Sequence, residues 1–117
     1  MNKRSKGKVF EEIAEKYLLR KNYKILFKNF FSRYGEIDII ALDRENNLVF
    51  IEVKGRNSLN YGRGEESITT KKIKSLIKTA QYFLYKYPDI EYNSIRFDVI
   101  SIFEDKINHI ENAFYME

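Results

Sequence analysis

Between Lys8 and Lys21 the apolar positions Phe10, Ile13, Ala14, Tyr17 and Leu18 fall at helical spacing and predict a first amphipathic helix. On a wheel advancing about 100° per residue, Glu12 points away from that stripe while Glu11 sits at its edge, able to lean toward whatever the helix packs on. The period then changes. YKILFKNFF (23–31), GEIDIIALD (35–43) and NLVFIEVKG (47–55) are rich in β-branched and aromatic residues and predict three strands in a meander, with RENN as the turn between the last two. GRNSLNYGRGEE (55–66) has no apolar periodicity and holds three of the five glycines, which marks a loop. From Ser67 to Tyr87 helical spacing returns through Ile73, Leu76, Ile77, Ala80, Phe83 and Leu84, with Ser67 as the expected N-cap and Pro88 as the stop. On this second wheel Lys71, Lys74 and Lys78 project outward, and Lys72 lies at the edge of the apolar face. SIRFDVISIF (94–103) alternates as a strand, EDK makes a turn, and INHI reads as a short final strand. The order α-β-β-β-α-β-β predicts one α/β domain over residues 1–117, a central mixed five-stranded sheet flanked by helices, with residues 1–7 as a basic flexible arm.

Two of these strands break the apolar rule. IDIIAL carries Asp38, LVFIEV carries Glu52, and Lys54 follows two residues on. Alternation places Glu36, Asp38, Ile40 and Leu42 on one face of their strand, and Leu48, Phe50, Glu52 and Lys54 on one face of the next. The opposite faces, Ile37-Ile39-Ala41 and Val49-Ile51-Val53, are wholly apolar. If paired positions sum to 90, Asp38 lies opposite Glu52 and Glu36 opposite Lys54 on a common face, whereas an odd sum separates the two sets. That register needs a three- or five-residue connection or a bulge, and Asn46 or Asn47 can supply its left-handed residue.

Like charges directly opposite one another destabilise a sheet. Asp38 and Glu52 therefore need compensation, from Lys54 in an ion network, from a proton on one acid, or from a divalent cation. Glu11 as a third carboxylate, Glu36 as an auxiliary fourth and Lys72 as a second basic group add weight to the cation. Mg²⁺ or Mn²⁺ held by such acids, with a carbonyl such as that of Val53, would polarise a phosphoryl oxygen and lower the pKa of a water. Lys54 could orient that water or stabilise charge in the transition state, and the chemistry so described is phosphodiester hydrolysis.

Composition narrows the alternatives. Cysteine is absent, which excludes disulfides, thiolate metal sites and thiol nucleophiles, and His109 alone cannot form a histidine cluster. A hydrophobic fraction of 44% with nine Tyr and nine Phe supports a packed core despite 32% charged residues. No apolar run reaches membrane-span length and MNKRSKGK lacks a signal-peptide core, so a cytoplasmic location without membrane contact is expected. The net charge of +4 suits an anionic partner. Arg56, Tyr61 and Arg63 in the glycine-rich loop are placed to contact phosphate or stack on bases. His109 reads as a surface or packing residue, and Asp98 as a partner of Arg96.

The spacing from Asp38 to Glu52-x-Lys54 resembles the PD-(D/E)xK nuclease superfamily, the restriction endonuclease-like fold. More specifically, the chain is similar along nearly its whole length to the uncharacterised bacterial YraN-type family. The residues that carry this are Glu11, Ala14, Tyr17-Leu18, Asn29, Gly35-Glu36-Ile37-Asp38, Ile40-Ala41, Phe50-Ile51-Glu52-Val53-Lys54 and Arg56, then Gly62, Lys72, Ala80 and Arg96-Phe97-Asp98-Val99. The resemblance implies metal positions at Glu11, Asp38 and Glu52, catalytic positions at Asp38, Glu52 and Lys54, and Lys72 as an auxiliary lysine. It implies a divalent-metal-dependent endonuclease acting on DNA, Holliday-junction-resolvase-like or repair-type, and a homodimer suited to two-strand cleavage; nucleic-acid contacts are expected at Arg56, Arg63 and Lys72. The alternative is a non-catalytic nucleic-acid-binding or assembly module on the same fold. Two departures stand out: no proline precedes the first acid, and Phe10 occupies a position where the family usually has glycine.

Overall fold

The two periods of the sequence become two helices laid on opposite faces of one sheet. The computed structural model describes residues 3–56 and 68–116, with side chains from Gly7 onward. The elements are α1 (Lys3–Arg20), β1 (Lys24–Ser32), β2 (Gly35–Leu42), β3 (Leu48–Arg56), α2 (Thr70–Lys86), β4 (Ile95–Phe103) and β5 (Lys106–Phe114).

α1 begins at Lys3, so the basic stretch expected as an arm over residues 1–7 enters the helix. Residues 3–7 carry no apolar position, and a stripe cannot reveal a helix where there is nothing to bury. The helix ends on Asn22, which takes φ 67°, with Tyr23 N–H donating to the Leu18 carbonyl at 3.0 Å and Asn22 N–H to that of Leu19 at 3.0 Å. This six-to-one closure brings Tyr23 back onto Leu18, and both are buried in one core. α2 is capped by Thr69, whose hydroxyl accepts the Lys72 N–H at 3.1 Å; the expected cap, Ser67, lies outside the described residues.

The sheet has the order β1-β2-β3-β4-β5, antiparallel throughout except for the parallel β3–β4 pair that α2 connects. β2 and β3 pair through Ile39–Ile51, Ile40–Phe50, Ala41–Val49 and Leu42–Leu48, each pair summing to 90 as the acid pairing requires. The connection is the five-residue segment 43–47. Asn46 is its left-handed residue at φ 66°, and the Asp43 carboxylate accepts the Glu45 and Asn47 amides at 2.9 Å each. β5 is longer than INHI suggests. It is an edge strand, mostly exposed, so it has little apolar alternation to show.

α1 packs with Ile39, Ala41, Val49 and Ile51, while α2 places Leu76, Ala80 and Phe83 against Ile40, Leu48, Phe50 and Phe97. Phe83 anchors the second layer, meeting Phe27, Phe30 and Phe50 edge-on at 5.3, 5.2 and 5.7 Å between ring centres. Truncating it to alanine would cost about 3–5 kcal/mol.

Strict alternation fails next to the acids, and this corrects the expected facing of β2. Ile37 and Ile40 both belong to the α2 layer, as do Phe27 and Phe30 on β1. Between them, Lys28 and Asn29 both reach toward α1, to Glu15 and Glu11 respectively. Asn29 takes φ 54°, and the Lys28–Ile39 and Phe30–Ile37 pairs place it level with Asp38. Both strands thus slip phase at the same level. Glu36 is brought toward α1, while Ile40 and Leu42 pack in the α2 layer.

Candidate active site

The phase slip lies at the end of β2 where its ladder with β3 stops. The last pair is Ile39–Ile51. Beyond it the Asp38 side chain crosses the gap, and Oδ2 accepts the Val53 N–H at 2.8 Å. A carboxylate therefore takes the place of a backbone acceptor and is held by the neighbouring strand.

Three acids converge here. Carboxylate oxygens of Glu11, Glu36 and Asp38 lie within 4.8 Å of one another, all on half-buried side chains. Glu11 comes from the edge of the α1 stripe and Glu36 from the start of β2. Asn29 ties these two together, its Nδ2 donating to Glu11 Oε1 at 2.9 Å and to Glu36 Oε2 at 2.8 Å. Asn29 carries no charge, so it fixes geometry without neutralising anything. No lysine or arginine among the described residues forms an ion pair with Glu11, Glu36 or Asp38.

Glu52 adjoins the group from β3. Its charge disfavours the ionised form of Asp38. Burial is the largest cause raising Asp38, Glu52 is the next, and Glu11 and Glu36 add to it; against them stands only the Val53 amide, and the group is pushed up to about 8. Burial also raises Glu52, with Lys72 and Lys54 pulling the other way. Lys72 Nζ stands 3.5 Å from Glu52 Oε2. The basic groups thus serve Glu52, and the acidic excess remains at Asp38.

Sequence reading placed Glu11, Asp38, Glu52, Lys54 and Lys72 together, and the fold brings them to one end of β2 and β3. It also makes Glu36 a full member of the acidic group. Arg56 lies at the end of β3 beside Phe103, and its carbonyl accepts the Glu104 amide at 3.4 Å. Arg63 and Tyr61 lie outside the described residues. Asn29 was not singled out as a site residue. Its signal is a polar side chain between Phe27 and Phe30, whose three-residue spacing cannot keep one face of a regular strand. Phe10 is accommodated by Gly55, since a Cβ on that residue would run into the phenyl ring.

The donor set suits a hard divalent cation: it consists of oxygens alone, carries several charges and lacks internal neutralisation. Glu11, Glu36 and Asp38 would hold such an ion, with Glu52 adjoining.

A family model described as "Uncharacterised protein family UPF0102" matches residues 10–102. Similar proteins include a UPF0102 protein of Sulfurihydrogenibium sp. (strain YO3AOP1), 50% identical over 117 residues and aligned over the whole of both chains. A UPF0102 protein of Persephonella marina is 49% identical over 112 residues, covering 96% of this chain and 95% of that one. One from Clostridioides difficile (strain 630) is 45% identical over 116 residues, covering 97% and 100%.

Proposed function

The chain belongs to the UPF0102 family, the YraN-type family that its sequence resembles, and we propose that it is a divalent-metal-dependent nuclease with a restriction endonuclease-like fold, acting on DNA. The observation that carries this reading is the acidic group at the β2–β3 opening. Asp38 is buried among Glu52, Glu11 and Glu36 with no cation against it among the described residues, while Lys54 and Lys72 flank Glu52. Several acids without internal neutralisation suit a cation, and lysines beside them suit a phosphodiester.

When bound, Mg²⁺ or Mn²⁺ supplies Lewis-acid polarisation of a phosphoryl oxygen. Lys54 lies two residues beyond Glu52, half-buried, and its charge already acts on that carboxylate. In the reaction it would stabilise negative charge gathering on the phosphoryl oxygens. Lys72, tethered to Glu52 and still 40% exposed, can turn its ammonium toward an incoming phosphate. Asn29 holds Glu11 and Glu36 in a fixed pair, so the carboxylates need not be ordered when substrate arrives. Arg56, at the end of the strand that carries Glu52 and Lys54, is assigned to backbone contact.

A second reading draws on the Glu52–Lys72 ion pair and the raised proton affinity of Asp38, which together let the site persist without any ion. It makes the protein a non-catalytic nucleic-acid-binding or assembly module. Incubating the protein with branched, single-stranded and duplex DNA in Mn²⁺, beside Asp38→Ala and Lys54→Ala, separates the two. Cleavage by the wild type that both substitutions abolish is the expected result. Binding without cleavage, unchanged by either substitution, would select the module.

A further inference from the structure

α2 reads TKKIKSLIKTAQYFLYK and contains five lysines and no acid. An exposed helical face ordinarily gains a little stability from acid and base at four-residue spacing, which this helix forgoes. It also places Lys71 and Lys72 in its first turn, where the helix dipole disfavours cations. The positive field is thus kept at a small cost in stability.

The field has a defined track. Lys74, Lys78, Tyr82 and Lys86 follow one another at four-residue spacing and are all exposed, so they form a single ridge. Over twelve residues it runs about 18 Å, roughly the span of three nucleotides of an extended single strand. The β1–β2 turn lies against this ridge. Ser75 Oγ donates to the Tyr34 carbonyl at 2.6 Å, Ser32 Oγ and Thr79 Oγ1 share a hydrogen bond at 3.0 Å, and a Cβ on Gly35 would strike Ser75 Oγ. The turn is therefore fixed to α2. It presents Tyr34, 38% exposed, with the Arg33 guanidinium 5.0 Å and the Lys78 ammonium 5.6 Å from its ring centre. Arg33 also donates to the Tyr34 hydroxyl at 3.0 Å. Lys86 stands 5.8 Å from the centre of the Tyr82 ring, which is 37% exposed. Arg33, Lys74, Lys78 and Lys86 form no ion pair with an acid among the described residues.

Cations and flat rings alternate along one line, and Glu36 of the acidic group lies two residues beyond Tyr34 in the chain. We propose that Arg33, Tyr34 and the Lys74-Lys78-Tyr82-Lys86 ridge bind a single-stranded segment of nucleic acid running to or from the carboxylate group. Phosphates engage the four cations and unpaired bases pack on the two tyrosines. A duplex offers the phosphates but not the ring faces, which gives the preference for a single strand. This rests on the nucleic-acid partner of the proposed function but not on cleavage.

The test is fluorescence anisotropy with a labelled thymidine oligonucleotide, single-stranded and as its duplex, over a salt series with EDTA present. Arg33→Ala/Lys78→Ala is expected to weaken single-strand binding about tenfold and to reduce the salt slope by about 1.4. Lys24→Ala/Arg44→Ala, the same charge change at the far end of β1 and in the 43–47 turn, should have much less effect. Tyr34→Ala/Tyr82→Ala should weaken the single strand severalfold and leave the duplex nearly unchanged. Melting curves would confirm that each variant is folded. Equal weakening by the two charge-changing pairs, or equal tyrosine effects on both substrates, would overturn the proposal. Metal-dependent cleavage that persists with no dependence on this patch would sink this inference alone. Patch-dependent binding without cleavage would sink only the catalytic reading.

Discussion

Asp38, half-buried, and Asp98, fully buried, lie on strands either side of β3, and their surroundings are opposite. Each lies level with an asparagine of left-handed backbone on the adjoining edge strand, Asn29 at φ 54° for Asp38 and Asn112 at φ 54° for Asp98. Each accepts a backbone amide from a neighbouring strand, from Val53 at 2.8 Å and from Asn112 at 3.1 Å respectively. There the likeness ends. Arg96 grips Asp98 through Nε at 2.9 Å and Nη2 at 3.1 Å, and His109 Nε2 lies 2.7 Å from Oδ2. Tyr17 hydrogen-bonds the other nitrogen of His109 at 3.0 Å, and Arg96 reaches on to Asp43 at 2.8 Å and Tyr23 at 2.9 Å. Burial alone would raise Asp98, but the hydrogen bonds from His109 and Arg96 reverse this and hold it below the usual carboxylate range. Asp38, among three acids, is pushed up to about 8. A fully paired buried carboxylate is part of the framework, whereas one surrounded by like charge calls for a ligand.

The largest effect should come from breaking the paired site. Asp98→Ala leaves Arg96 and His109 without their acceptor and should cost about 3–5 kcal/mol, seen as a fall of about 12–20 °C in melting temperature. A small loss would mean that the network adds little and that the contrast with Asp38 is false. Next in size, Mn²⁺ at about one hundred times its Kd should stabilise the wild type by about 2.7 kcal/mol. Asp38→Ala should lose that gain.

In the metal-free protein Asp38→Asn should raise stability by about 1–2 kcal/mol, since the amide still accepts from Val53 while the repulsion is gone. The pH dependence carries the same contrast with its sign reversed. Asp38 holds its proton more tightly when folded, so its contribution is complete below the ordinary carboxylate range and is lost as pH rises toward about 8. Asp98 contributes above that range, and the contribution is lost as pH falls through its lowered value. Metal-free wild type should therefore lose stability between about pH 4 and pH 8, and Asp38→Asn should flatten that decline in urea titrations. The smallest effect concerns the clamp. Asn29→Gly keeps the positive φ but removes the amide, and should cost less than about 1 kcal/mol while weakening Mn²⁺ affinity a few-fold.

Much of this contrast was legible in the residues and part of it was not. The β2–β3 register that brings Asp38 near Glu52 followed from a turn long enough to seat Asn46, because register is set locally. Glu11 could be placed because one helical wheel has one edge. The phase slip at Asn29 and Asp38 escaped, since β2 alone reads as regular and the three-residue spacing of Phe27 and Phe30 in β1 gains its meaning only beside it. Of the Asp98 network, the Arg96–Asp98 pair was legible from two positions on one strand and is present, while the rest was not legible. Tyr17, Asp43, Arg96 and His109 come from four different elements, and only the parallel β3–β4 pairing and the β4–β5 bulge bring them together. His109 read as a surface or packing residue because its hydrogen-bonding partners are far away in the chain.

The central claim, that the acids at Asp38 form a cation site and those at Asp98 do not, is tested most directly by titration calorimetry. Mn²⁺ would be added to metal-free protein at pH 7 in two buffers of different ionisation enthalpy. The structure predicts binding accompanied by release of about one proton, from the Asp38–Glu52 pair, and loss of both signals in Asp38→Asn. Binding without proton release, binding unchanged by Asp38→Asn, or no binding at millimolar Mn²⁺ would contradict it.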